Sequence, residues 1–275
     1  MTLASLLESL RPGLLPSSGL NFLLAGLLDC SVPALKLQHN RKLAPPQQAS
    51  IRDALLRLEK GEPPQYILGK TWFYGLELKV DPRVLIPRPE TEGLVKLALE
   101  RLKPEARVLE IGTGSGAIAI ALKKTGPNLS VMATDISSAA LELARDNAFR
   151  HNCAIDFVEA DLFPPGDFRF DLVVSNPPYI SEKEYSELEP MVRDYEPRQA
   201  LLAAEEGLEY YRYLFSGLPN QLNDGGLALF EHGALQRQSI IALGAEAGFE
   251  CCLAKDDLAG RNRYLGFRLK RNTEK

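Results

Sequence analysis

Two short runs carry the residue types that could do chemistry. The first, Asn176-Pro177-Pro178-Tyr179, closes the apolar run Asp171–Ser175. Neither proline donates a backbone hydrogen bond and both stiffen the turn, so their carbonyls remain fixed acceptors. Asn176 adds an acceptor oxygen and a donor NH2. If Asn176 Oδ1 and the Pro177 carbonyl each accept one hydrogen of an amide or amine NH2, that nitrogen is oriented with its weak lone pair toward an incoming methyl carbon. Tyr179 can stack on the planar group and help exclude water. An isolated Asn-Pro dipeptide is commonly only a rigid turn. The odds change because a second run stands at the same edge of the same predicted sheet.

That run is Glu110-Ile111 followed by Gly112, Thr113, Gly114, Ser115 and Gly116, directly after one predicted strand and at the opening of a helix. Glycines there let backbone approach a ligand where helix N–H groups point outward. The spacing Gly112-x-Gly114-x-x-Ala117 also satisfies the dinucleotide fingerprint, and Asp135 ends the next strand, where an acid grips ribose hydroxyls of either NAD or S-adenosylmethionine. The loop alone leaves both ligands open. Glu110 tilts the choice, because a negative charge ahead of the glycines would repel a diphosphate. Asp161, after the third strand region, could meet an adenine amino group. The plainer readings are that Asp135 caps the following helix and that Asp161 is a solvated turn residue.

The elements that must position these runs alternate. The pattern predicts a helix over Thr91–Leu102, strand Arg107–Ile111, helix Ser115–Lys124, strand Ser130–Asp135, helix Ser137–His151, and strands Ile155–Glu159 and Asp171–Ser175. Helix Leu208–Leu222, strand Leu227–Glu231, helix Ala234–Ala247 and two late β-runs, Phe249–Ala254 and Tyr264–Leu269, complete it. Strand and helix in this rhythm mean an open, doubly wound α/β sheet covered on both faces, here with an antiparallel hairpin at its end. Residues 1–60 read as short helices: Leu3, Leu6, Leu7 and Leu10 keep helical spacing, as do Ile51, Leu55, Leu56 and Leu58, with turns expected at Pro12, Pro33 and Pro45-Pro46. Residues 61–89 change to proline, glycine and aromatics around Leu76, Leu78 and Val80, which suits a β-hairpin joining a helical domain (1–60) to a sheet domain (90–275).

Composition narrows the classes further. The 275 residues are 45% apolar and 25% charged, which excludes disorder and fibrous repetition for the whole chain. A formal charge of −4 argues against holding nucleic acid mainly by blanketing phosphates. The mild positive excess of residues 1–60 reads first as a solvated surface. Cys30, Cys153, Cys251 and Cys252 cannot be combined with His39, His151 and His232 into a metal-ligand pattern, so no metal is expected. Apolar runs such as 20–28 are too short for a bilayer, and the first residues lack a signal peptide's basic start, which makes the cytoplasm the expected compartment and excludes a membrane partner.

The glycine run with Asp135 and Asn176-Pro-Pro-Tyr179 resembles the class I S-adenosylmethionine methyltransferases that modify exocyclic or amide nitrogen. Gly61-Glu-Pro-Pro-Gln-Tyr-Ile-Leu-Gly69, Phe73-Tyr-Gly-Leu76, Val84-Leu-Ile-Pro-Arg-Pro-Glu-Thr-Glu92 and Asn176–Ile180 resemble, more specifically, the peptide chain release factor glutamine N5-methyltransferases, over almost the whole chain. Asn-Pro-Pro-Tyr by itself also fits DNA adenine N6-methyltransferases, and ribosomal-protein glutamine methyltransferases share the chemistry but differ at the Pro-Arg-Pro run. The resemblance implies a Rossmann-like methyltransferase sheet with a small helical recognition domain, S-adenosylmethionine as cofactor, and as substrate the Gly-Gly-Gln loop of class 1 release factors; a monomer is expected. It implies that Asn176, Pro177 and Tyr179 hold the glutamine side chain, with Pro178 in the same loop. Cofactor contacts are implied at Gly112–Gly116, Asp135, Leu162 and Asn176, with Leu162 standing where relatives often carry an aromatic. Phe230-Glu231-His232-Gly233 departs from the usual Glu-Ile-Gly, and His232 reads as a packed or surface residue rather than a base.

Overall fold

The computed structural model describes residues 2–8, 17–35, 37, 38 and 40–270. Leu10, Pro12 and His39 lie outside them. Among the described residues nine strands form two sheets: β1 (Lys70–Phe73) and β2 (Leu76–Lys79) make a hairpin, while β3 (Arg107–Ile111), β4 (Ser130–Asp135), β5 (Asp156–Glu159), β6 (Phe170–Ser175), β7 (Leu222–Glu231), β8 (Phe249–Asp256) and β9 (Asn262–Leu269) form the main sheet. Its order is β5-β4-β3-β6-β7-β9-β8. Strands β3 to β7 run parallel, and β9 pairs antiparallel with both β7 and β8.

The chain winds outward from β3 to β5, then returns to the other side of β3 with β6 and β7. The order therefore reverses between β3 and β6, and the crevice beyond their carboxyl ends is where such sheets bind ligands. Ile111 pairs with Ser175 in register, and the Ser175 hydroxyl donates to the Ile111 carbonyl at 2.8 Å. The glycine loop and Asn176 thus leave the sheet side by side.

Each face of the sheet is buried. One core layer joins Val108, Leu172 and Leu229 to Leu94 of the helix Thr91–Leu99 and to Ala119 and Leu122 of the helix Ala117–Thr125. The other is aromatic: Phe215 of the helix Glu209–Gly217 meets Phe267 edge-on at 4.9 Å between centroids and packs also on Phe230 and Phe249, a geometry that adds roughly 0.5–1.5 kcal/mol per pair beyond area burial.

Several boundaries differ from the sequence pattern for local reasons. The helix expected over Leu208–Leu222 ends at Gly217, and a 3-10 turn, Leu218–Asn220, follows. Pro219 has no N–H to continue the ladder. Strand β7 starts at Leu222 rather than Leu227, because Leu222 pairs with Phe170 ahead of an irregularity in which Gly225 takes φ +74°. Pro33 and Pro45-Pro46 do not separate helices; they lie in the first turns of Val32–Leu35 and Pro45–Glu59, where a missing N–H goes unmissed. Tyr74 and Gly75 both take positive φ, the two-residue turn that matches strand twist in a hairpin.

The helical segment has its own core, including Leu6, Leu23, Leu24, Ile51 and Leu55. The hairpin's Phe73 and Leu78 instead enter the core of the main sheet. Asn147, fully buried on the helix Ser138–Arg150, bonds both the N–H and the carbonyl of Lys79 and also donates to the Ser115 carbonyl, tying hairpin and glycine loop to one helix. Among the described residues no helix is long and apolar enough to cross a membrane, and no group of three or more metal-binding side chains occurs.

Candidate active site

The loop after β3 is held from beneath. Gly112 and Thr113 donate backbone N–H to the Thr134 carbonyl at 2.9 and 3.0 Å, which bends the chain sharply off the strand. Gly112, Gly114 and Gly116 all have positive φ. A Cβ at Gly112 or Gly114 would meet nothing within 4 Å, so conformation alone demands glycine there; at Gly116 it would also press on Ile120 at 3.0 Å and Ala144 at 3.3 Å.

Glu110 does not face the ligand crevice. Its side chain is buried under the loop, where one oxygen accepts from the Thr113 hydroxyl at 2.6 Å and from the Ala119 N–H at 3.0 Å. Burial pushes its carboxyl up to about 8, so near neutral pH it is mostly uncharged. The expectation that Glu110 repels a diphosphate by its charge is therefore corrected: desolvation removes the charge and the residue braces the loop instead.

Asp135 does reach the crevice. One carboxylate oxygen accepts the Gly114 N–H at 2.8 Å and the other the Ser137 N–H at 2.9 Å, while burial raises its pKa. The next helix is capped by Ser137, whose hydroxyl accepts from Ala140, so the capping reading of Asp135 does not hold. Asp161 is exposed at the rim, and Leu162 adopts φ +66° with its carbonyl held by the Thr134 hydroxyl at 2.6 Å. Left-handed backbone at a residue with a large side chain is strain that the surrounding fold must hold in place.

A cleft opens here, with Gly112, Gly114, Asp135, Asp161, Leu162 and Asn176 on its wall. Thr113, Ser115 and Gly116 lie buried behind it. A second cavity opens beside it, lined by Arg88, Tyr179, Ile180 and Leu188 among others. Leu85, Asn176, Pro177 and Ala200 border both. The Asn176-Pro177 bond is thus the partition between two chambers, with Pro178 on the first and Tyr179 on the second.

Side chains remote in sequence hold that partition. Asn176 Nδ2 donates to the Thr91 hydroxyl at 3.2 Å, and that hydroxyl donates to Glu231 at 2.8 Å. Glu231 ends β7 and is buried, and burial lifts its carboxyl to about 7. Gln236 donates to the Tyr179 carbonyl at 2.8 Å, and Ile180 pairs with Leu201 and Ala203. Arg88 meets the buried Glu196 at 2.6 Å, and Glu196 also accepts the Ile86 N–H, which fixes the wall of the second chamber. His232 is packed, with Nδ1 against the Gly233 carbonyl, and burial lowers its pKa to about 4. Thr91, Glu231, Glu196 and Gln236 escaped the sequence pattern. Only the acid closing an apolar strand, Glu231, left a readable sign.

The chain has relatives of known kind. Residues 92–195 match the methyltransferase small domain family and residues 16–69 the PrmC N-terminal domain family. The release factor glutamine methyltransferase of Geobacter sulfurreducens is 41% identical over 249 residues, covering 90% of this chain and 88% of that protein. The chain belongs to the release factor glutamine methyltransferase family. The Streptococcus pneumoniae member is 48% identical over 191 residues, covering 69% of this chain and 68% of its own length. Among solved structures, a ribosomal protein L11 methylase from Lactobacillus delbrueckii subsp. bulgaricus aligns with a TM-score of 0.52 and 29% identity, covering 70% of this chain and 86% of its own. A Pyrococcus furiosus methyltransferase, at a TM-score of 0.54 and 22% identity over 70% of this chain and 88% of its own, shares the fold. As a family member the protein is an enzyme that uses S-adenosylmethionine, and the nicotinamide reading of the glycine loop falls away.

The residues present suit that cofactor. The first chamber offers glycine backbone, apolar walls, and in Asp135 a carboxylate whose remaining lone pairs suit ribose hydroxyls.

Proposed function

We propose that this enzyme methylates the side-chain nitrogen of the glutamine in the Gly-Gly-Gln loop of class 1 release factors; its relatives are named release factor glutamine methyltransferases. The observation that carries the reading is the pair of chambers meeting at Asn176-Pro177. When bound, S-adenosylmethionine supplies an electrophilic methyl group on a good neutral leaving group. Gly112, Gly114, Asp135, Asp161 and Leu162 hold it in the first chamber. The substrate amide enters the second, where Asn176 Oδ1 and the Pro177 carbonyl accept its two hydrogens and Tyr179 packs against its plane.

An amide nitrogen is a weak nucleophile because its lone pair is delocalised. Two fixed acceptors push electron density back onto it and stabilise the positive charge that builds as the new N–C bond forms and the C–S bond breaks. The cationic amide then loses its proton readily to water, so the site needs no general base. What it supplies is position and dryness.

Residues 1–60 serve recognition in this reading, giving a protein loop the surface that a specific contact needs, roughly 800 Å² per partner. Residues 61–89 join them to a methyltransferase domain over 90–275. The enzyme works as a monomer in the cytoplasm on a protein acceptor rather than on DNA or RNA. The test is incubation with methyl-labelled cofactor and either release factor, the same factor with the loop glutamine replaced, or DNA. Label confined to the unaltered factor is the expected result; label in DNA alone overturns the reading in favour of a flipped adenine in the same clamp.

A further inference from the structure

An asparagine amide can face its substrate in two ways, and only one serves an acceptor's purpose. Asn176 must turn Oδ1 toward the incoming N–H; flipped by 180°, it would oppose donor with donor. Nothing within the tetrapeptide fixes this choice. The neighbours do.

In its charged form the Glu231 carboxylate has no hydrogen to give, so the hydrogen of the Thr91 hydroxyl is directed to it, at 2.8 Å. That commits the remaining lone pairs of Thr91 to accepting. An amide approaching Thr91 can then present only its NH2, as Asn176 does at 3.2 Å. Oδ1 is left facing away from Thr91, on a residue that borders both chambers. We propose that Glu231, acting through Thr91, is a positioning residue that sets the polarity of the Asn176 amide. The inference rests on the glutamine-methylating reading above.

The surroundings make the device sensitive to pH. Arg263 favours the charged carboxylate, Glu90 opposes it, and the hydroxyls of Thr91 and Tyr179 stabilise it. Tyr211 donates instead to the Glu231 backbone carbonyl, Tyr264 feels the charge from β9, and His232 stays neutral above pH 4. Burial outweighs the favourable contacts and holds the carboxyl near 7. Once protonated, Glu231 can donate to Thr91, the Thr91 hydrogen is free to turn to Asn176, and the amide loses its enforced direction. Turnover should therefore fall as pH drops through about 7.

Three variants of the full chain test this against intact release factor: Thr91→Val, which removes the hydroxyl at nearly constant shape, Thr91→Ser, which restores it, and Glu231→Gln. Circular dichroism and S-adenosylhomocysteine binding are measured first. The expected result is a tenfold or greater loss of kcat in Thr91→Val and Glu231→Gln with S-adenosylhomocysteine affinity within twofold of wild type. Thr91→Ser should recover most of the rate, and the acid limb near pH 7 should persist in wild type and Thr91→Ser but vanish in Glu231→Gln. Retention of that limb in Glu231→Gln, or a folded Thr91→Val within twofold of wild-type kcat, overturns the inference. Should Thr91→Val not fold, the pH profile of Glu231→Gln decides alone. Failure of the wild-type enzyme to label release factor would instead sink the proposed function.

Discussion

The two chambers of the site are built by different means. The cofactor side is made of backbone: a glycine loop folded against Thr134, with N–H groups fixed by Asp135 only 21 positions after Gly114. The acceptor side is made of side chains brought from afar, with Asn176, Thr91 and Glu231 spaced 85 and 140 positions along the chain. The lesson is that binding and chemistry are separately breakable here. Damage to the loop should appear as affinity for the cofactor, and damage to the clamp as turnover.

Asn176→Ala is the sharpest break. It removes the acceptor facing the nucleophile and should lower kcat by roughly 100-fold or more, about 2.7 kcal/mol of transition-state stabilisation. S-adenosylhomocysteine affinity should change far less, and equal losses in both would dissolve the distinction between the chambers.

Asp135→Ala makes the converse break. The Gly114 and Ser137 N–H groups lose their carboxylate, and the ribose loses its partner. Charge-assisted hydrogen bonds contribute about 1.5–3 kcal/mol each, so calorimetry should show cofactor binding weakened by roughly ten- to a hundredfold. Turnover at saturating cofactor should fall much less.

Gly116→Ala combines left-handed strain with contacts to Ile120 and Ala144, whereas Gly112→Ala meets strain alone. Chemical denaturation should find both destabilised, by roughly 1–2 kcal/mol for the strain, with Gly116→Ala the worse of the two. Equal values would mean that the helix packing behind the loop yields freely.

Glu110→Gln should produce the smallest change near pH 4.5 and a growing one up to about pH 8. The folded carboxyl titrates near 8, well above its unfolded value of about 4.5. Its contribution to stability is therefore full below about 4.5 and is lost as pH rises through 8. A glutamine keeps an acceptor for Thr113 and Ala119 but never ionises, so denaturation midpoints of variant and wild type should diverge in the variant's favour between about pH 4.5 and 8. Parallel curves would show that Glu110 does not titrate there.

The sequence by itself determined what local chemistry can enforce. Strand and helix alternation set the doubly wound sheet, the glycines of 112–116 specified a loop that only small residues can trace, and the prolines at 177 and 178 fixed two carbonyls, because each of these depends on neighbours a few residues away. The tertiary structure decided what depends on surroundings. Glu110 looked like a charge against the ligand and became a neutral brace once burial removed its solvent. Asp135 looked equally able to cap a helix until Ser137 filled that place. The direction of the Asn176 amide is set by a threonine before β3 and a glutamate ending β7, and no spacing in the sequence announces that they meet. Hydrogen-bond polarity and desolvation act between groups adjacent in space, and only the packing of the helix Thr91–Leu99 on the ordered strands makes these residues adjacent.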